Sequence, residues 1–255
     1  LKTEENYWKK YWGIIGKSNC SNIEADRGTT CVYPHISQWF EKQFLNNLSP
    51  RSTDLLLDAG CGTGNNFCKF SKHVKGIVGI DISQTMVERA KETVTSDKLT
   101  NCSLVIGSLV NLGVKNRLFD KAICISVLQY LNDEECAKAI KELLLATKKS
   151  GTIILHVKNL SSLYGISLYF VKKCLAPLIN REITPDYYRT ANWYEKCVIK
   201  SGGRVIEFQS FGLFNLSHMP RSILKWMLKT EMKIRKNKFL KRRGVNLQLT
   251  IKISQ

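Results

Sequence analysis

The residues in this chain with the clearest chemistry run from Leu55 to Asn66, LLLDAGCGTGNN. An apolar run leads to a carboxylate, Asp58, and glycines follow at 60, 62 and 64. Glycines so spaced let a strand turn sharply into a helix and let a ligand lie against bare backbone. A second apolar run, Val78 to Ile80, ends in another carboxylate, Asp81. A turn that received a pyrophosphate would read G-x-G-x-x-G and offer N–H groups and a helix dipole to the anion. Here the glycines stand closer together and a carboxylate adjoins them, which repels pyrophosphate and suits a cationic group. Asp81, ending the next strand, is placed to accept hydrogen bonds from both hydroxyls of a ribose. The two halves together predict a nucleotide-type cofactor site that receives a ribose and a cationic group.

The surrounding pattern supplies the elements that hold these residues. Between 54 and 157 short apolar runs alternate with amphipathic ones. Strands are predicted at Leu55–Asp58, Gly76–Ile80, Cys102–Ile106, Lys121–Ser126 and Thr152–Val157. Helices are predicted at 64–72, Ser83–Thr95 and Asp133–Lys148, the last stopped by Ser150-Gly151. Such alternation implies a mostly parallel sheet with helices on both faces, a Rossmann-like α/β fold.

Residues 1–50 read as a helical cap, with Tyr7, Trp8, Tyr11 and Trp12 at helical spacing and a second helix from about His35 to Leu48. Residues 51–157 form the cofactor-binding core and 158–203 an insertion with an apolar stripe through Leu160, Tyr164 and Leu168. Residues 204–255 hold two strands, Val205–Ser210 and Leu247–Ile253, around a basic helix near 220–239. All belong to one domain spanning 1–255.

The formal net charge is +18, which favours an anionic partner or a generally basic surface. The nine cysteines are scattered without a C-x-x-C pair, so neither a disulfide framework nor a metal site is expected. A reducing, cytoplasmic setting follows. No apolar run is long enough for a spanning helix, and the polar, aromatic start predicts no signal peptide.

Several ordered motifs carry a resemblance to a known family. LLLDAGCGTG resembles the first motif of the class I S-adenosylmethionine-dependent methyltransferases, and VGIDIS the second. FDKAICISVLQYL resembles their strand-4 motif, and LLLATKKSGTIIL their helix, glycine turn and strand 5. The resemblance is specific over about 40–157, particularly to the group acting on small molecules, lipids and glycans. It implies a seven-stranded sheet of order 3-2-1-4-5-7-6 with strand 7 antiparallel, and S-adenosyl-L-methionine as cofactor. By the same resemblance Gly60, Cys61, Gly62 and Gly64 line the methionine part, Asp58 holds its ammonium and Asp81 the ribose. Ile82 and Met86 pack on the adenine, while Ser126 and Val127 approach the cofactor beneath the methyl group. Many relatives have Gly-Asp-Ala after strand 3. This chain has Gly107-Ser108-Leu109, leaving Ser108 an uncharged adenine partner beside Leu109.

Methyl transfer from a sulfonium is an in-line displacement whose leaving group departs neutral, so positioning supplies much of the rate. A base is needed only for an acceptor that arrives protonated. Tyr130 and His156 are the candidates for that role, each with a structural reading beside it. Tyr7, Tyr11, Trp12, Gln129 and Tyr164 are the candidate substrate contacts.

The segment PRSILKWMLKTEMKIRKNKFLKRRG sets ten Lys or Arg against one Glu, with a Trp on its apolar side. It reads as an anionic membrane-surface element, as a nucleic-acid contact or as a solvated face. The expected activity is methyl transfer to O or N of a small-molecule or lipid/glycan-linked acceptor. The rivals are an RNA methyltransferase and a non-catalytic cofactor-binding relative.

Overall fold

The fold is given by a computed structural model that describes residues 7, 10, 11, 13, 14, 42–162, 166, 187–211, 226, 230, 233, 237 and 240–254. Trp12 and Tyr164 lie outside the described residues, as do most of the apolar stripe after 162 and most of the basic helix at 220–239.

Seven strands form one sheet: β1 (Leu55–Ala59), β2 (Gly76–Asp81), β3 (Cys102–Ile106), β4 (Phe119–Ile125), β5 (Thr147–Lys158), β6 (Gly203–Phe211) and β7 (Asn246–Ile253). Their order is 3-2-1-4-5-7-6, as expected. Neighbours among β1 to β5 run parallel, and β7 lies antiparallel to both β5 and β6. The described helices are α1 at 42–48, α2 (Phe67–Phe70), α3 (Gln84–Ser96), α4 (Asp133–Ala146) and α5 (Ala191–Lys200).

Burial on both faces explains why the central strands read as unbroken apolar runs. Leu57, Ala122, Leu155 and Leu249 pack on one side with Ile140, Tyr194 and Val198. Leu56, Ile123 and Ile154 pack on the other with Phe44, Leu48 and Phe67. Local signals fix the helix starts. Ser83 accepts from the Met86 N–H at 3.4 Å to cap α3. Asn132 and Glu135 form a reciprocal capping box on α4, whose first turn carries three carboxylates at the positive end of the dipole.

Several boundaries differ from the sequence reading, most by one or two residues; three have a local cause. The helix expected from 64 begins only at Phe67, because residues 64–66 are spent in a turn closed by the Phe67 N–H to Gly64 O bond. The helix expected to reach Lys148 ends at Ala146. Thr147 turns to extended backbone, donates through its hydroxyl to Leu143 O at 2.7 Å and opens β5 opposite Phe119. Residues 148–151 then bulge out before pairing resumes at Lys121 and Thr152. Finally, β4 stops at Ile125, because Ser126 adopts a left-handed φ of 59° that cannot continue a strand.

Candidate cofactor and acceptor site

The C-terminal ends of β1, β2 and β4 meet at the glycine turn. The N–H groups of Gly60 and Cys61 both donate to Ile80 O, which holds the turn against the end of β2. Gly60 has φ 78°, and a β-carbon there would stand 2.3 Å from Val127 Cγ2, so no other residue fits. Gly62 has φ 53° with open space around its missing β-carbon, which leaves bare backbone facing the site. Cys61 is buried, with its thiol packed against Gly79, and burial pushes that thiol far above the ordinary range. Cys61 therefore offers a ligand its backbone and not its sulfur.

Asp58 is 1 % exposed at the end of β1. Its Oδ2 accepts from Asn66 Nδ2 at 3.2 Å, while its Oδ1 is buried without a partner. Burial, with the nearby Asp81 adding to it, raises the carboxyl pKa to about 7. A buried carboxylate with one orphaned oxygen is a site for a cation, and an ammonium fits it. Thr63 Oγ1 is a second orphaned polar atom in the same turn.

Asp81 accepts from the Gly62 N–H through Oδ2 and from the Ser83 N–H through Oδ1, both at 2.9 Å. Each oxygen retains a lone pair, so two ribose hydroxyls can still be received. Burial raises this pKa as well. Ile82 is half-buried and Met86 buried beside it. Ser108 Oγ accepts from the Val110 N–H at 3.2 Å, so the serine caps its own turn, and Leu109 is buried behind it.

On the acceptor side, Ser126 follows β4 and donates its N–H to His156 O at 2.8 Å. The Ser126 hydroxyl lies 3.3 Å from His156 Nδ1, across the β4–β5 ladder. Burial lowers the His156 pKa to about 3, so the ring is neutral in physiological conditions. Leu128–Tyr130 form a 3-10 turn with Gln129 buried and its Oε1 unpartnered. Tyr130 is half-buried at the end of that turn.

Tyr7 and Tyr11 stack with ring centroids 6.1 Å apart. A β-carbon on Gly13 would lie 3.9 Å from Thr85 Oγ1, which sets this helical stretch beside the start of α3 and hence near Asp81.

Some residues that shape the site gave little sign in the sequence. Arg189 is 4 % exposed, pairs with Asp133 at 2.7 Å and donates to the carbonyls of Leu128 and Leu131. It thereby clamps the turn that carries Gln129 and Tyr130. Asn159, fully buried, donates to the carbonyls of Arg242 and Gly244 and accepts from the Ser161 N–H, tying the end of β5 to the entry of β7. Asn66 was part of the opening pattern, but its bond to Asp58 depends on the turn at 64–66.

Residues 56–151 match the family model described as a methyltransferase domain. Over 139 residues the chain is 33% identical to a 23S rRNA (uracil(1939)-C(5))-methyltransferase of Marinomonas sp., covering 54% of this chain and 30% of the relative. The chain spans about a third to a half of the length of the first curated relatives it matches. Among solved structures, magnesium protoporphyrin IX methyltransferase from Synechocystis, with bound S-adenosylhomocysteine, superposes with a TM-score of 0.65 at 17% identity. That match covers 99% of this chain and 100% of the other. The [4+2]-cyclase SpnF superposes at 0.68 and 16% identity, covering 99% of this chain and 97% of its own. A shared fold at such identity does not carry a shared reaction.

Proposed function

We propose that this chain, whose residues 56–151 match a methyltransferase-domain family model, is a class I S-adenosylmethionine-dependent methyltransferase that transfers a methyl group to O or N of a small-molecule or lipid/glycan-linked acceptor. The observation that carries the acceptor class is the neutral lining where β4 and β5 end. Ser126, neutral His156, Gln129 and Tyr130 stand there, and the nearby cations are engaged, the Arg189 guanidinium by Asp133 and the carbonyls of Leu128 and Leu131, the Lys158 ammonium by Asn246 Oδ1 at 2.9 Å. A phosphodiester substrate would call for cations there.

The cofactor supplies a methyl group on a sulfonium. Asp58, through its orphaned oxygen, receives the ammonium of the amino-acid tail, and Asp81 the ribose hydroxyls. The backbone of Gly60, Cys61, Gly62 and Gly64 lies along the tail. Val127, locked against Gly60, fixes the floor of the reaction site. Ile82, Met86, Ser108 and Leu109 border the adenine. The His156 ring, too weakly basic to hold a proton at neutral pH, orients the acceptor together with Ser126 Oγ, and Gln129 and Tyr130 wall the pocket. Tyr7 and Tyr11, beside α3, close over the cofactor, with Trp12 and Tyr164 as further contacts. Positioning and exclusion of water supply the rate.

Trp226 is 66% exposed, and Thr230 and Lys233 follow it at helical spacing. An exposed Trp on a basic helix supports a contact with an anionic membrane surface. Among the described residues no helix is long and apolar enough to cross a membrane. The similarity to an rRNA methyltransferase favours a second reading, an RNA acceptor. Incubating the protein with methyl-labelled cofactor and separated cell fractions distinguishes the two. Label in the lipid or small-molecule fraction supports the first reading. Label confined to RNA replaces it with the second, and no label in any fraction refutes both.

A further inference from the structure

The opposite end of the sheet carries a row of cations that the proposed reaction does not use. Arg204 on β6 stands directly across the antiparallel ladder from Lys252 on β7. Lys121 on β4 pairs with Thr152 on β5. Both lysines converge on one hydroxyl: Thr152 Oγ1 lies 2.7 Å from Lys252 Nζ and 3.3 Å from Lys121 Nζ. Arg204, Lys252 and Lys121 therefore form a cross-strand row on one face.

Like charges set opposite one another in a ladder oppose folding. Little offsets them here. Asp54 stands 3.9 Å from Lys121. Arg204 and Lys252 have no carboxylate partner among the described residues. Burial holds both lysines below the usual range, with Arg51 adding to it at both and Lys252 adding to it at Lys121. Lys149 and Ser150, from the bulge in β5, and Ser254 complete a groove of about 620 Å³ with Arg204 and Lys252. Its size falls in the range of small-ligand sites, on the order of 300–1,000 Å³.

We propose that this groove binds the terminal phosphate groups of a phosphorylated small ligand, at the end of the sheet opposite the cofactor turn. Phosphate oxygens take the hydrogen bonds that ammonium and guanidinium groups offer and remove their mutual repulsion. Lys121, 8% exposed, sits behind Thr152 outside the lining of the groove, so the ligand meets Arg204, Lys252 and Lys149. Three cations within so short a groove suit a terminal phosphate or pyrophosphate group. Strands hold the cations, so the site is formed before the ligand arrives.

The test uses the full chain and sodium pyrophosphate as probe, followed by calorimetry and thermal unfolding in phosphate-free buffer. Saturable one-to-one binding and a higher Tm are expected. Lys252→Gln and Arg204→Gln each weaken binding roughly tenfold, as loss of a charge-assisted hydrogen bond does. Lys91→Gln, on the exposed side of α3, leaves binding unchanged. Without anion, Lys252→Gln raises Tm, because one of two opposed charges is gone, and that rise also certifies its fold. No pyrophosphate binding overturns the proposal. So does equal binding by both groove variants, equal affinity for sulfate, or tight binding of single-stranded RNA through these residues with none of pyrophosphate. None of these outcomes depends on methyl transfer, so the two proposals fail separately.

Discussion

Asn66 holds one oxygen of the Asp58 carboxylate at 3.2 Å and leaves the other buried and unpartnered. The turn thus presents half of a carboxylate to a ligand at the point where β1 ends. Burial alone would favour the neutral acid, and an arriving ammonium reverses that preference.

With the ammonium held by Asp58 as proposed, cofactor affinity should depend on pH through that carboxyl. Its folded pKa, about 7, stands above the ordinary 3.8. Stability from this group is full below 3.8 and is lost as pH rises through about 7 in the cofactor-free protein. The loss is on the order of 4 kcal/mol by pKa linkage. Binding an ammonium requires the ionised form, so affinity rises with pH up to and just beyond 7. Calorimetry in buffers of different ionisation enthalpy should register proton release near pH 6. Asp58→Asn should abolish that release, raise cofactor-free stability at pH 8 and weaken binding.

His156 titrates in the opposite sense. Its folded pKa, about 3, lies below the ordinary 6.5, so stability is full above 6.5 and is lost as pH falls towards 3. Acid unfolding of His156→Gln should shift to lower pH than wild type. The pH profile of methyl transfer should show no limb near 6.5 that disappears in the variant. Such a limb would mean that His156 acts as a base.

Gly60→Ala places a methyl group 2.3 Å from Val127 Cγ2 at a φ of 78°. Strain of this kind costs about 1–3 kcal/mol, and moving Val127 disturbs the floor of the site. Val127→Ala should restore much of the stability and little of the activity. Urea unfolding and single-turnover transfer, measured on both single variants and the double variant, separate the two effects.

Arg189 joins Asp133 to the turn at Leu128–Tyr130 while almost fully buried. Arg189→Ala leaves two carbonyls without donors and should destabilise the protein by about 3–5 kcal/mol. Arg189→Lys should recover only part of this, because one ammonium cannot reproduce the planar fork. Cofactor affinity should hold in Arg189→Lys while acceptor KM rises.

Much of the fold was legible because the chain alternates between two periods. Seven predicted strands appear in the predicted order, and α4 starts at Asp133 as expected. The errors lie where one local interaction overrides periodicity. Thr147 ends α4 early by bonding back to Leu143, and its strand pairing with Phe119 lies far off in sequence. The placement of Asp58 and Asp81 at strand ends beside the glycine turn was readable because strand ends and glycines identify themselves. Arg189 and Asn159 were not, because their partners come from β4, β5 and β7 loops distant in sequence. The cation row was hidden for the same reason: Lys121, Arg204 and Lys252 meet only through sheet register. Trp12 and Tyr164 lie outside the described residues, so their roles rest on the sequence.

The most direct test is calorimetric titration of S-adenosylhomocysteine into wild type, Asp81→Asn and Asp81→Ala at matched folded fractions. Wild type should bind one equivalent. Each variant should lose at least tenfold in affinity, about 1.4 kcal/mol or more, because ribose hydroxyls lose their acceptors and the Gly62 N–H its anchor. Folded variants that bind as tightly as wild type would contradict the assignment of this turn as the cofactor site.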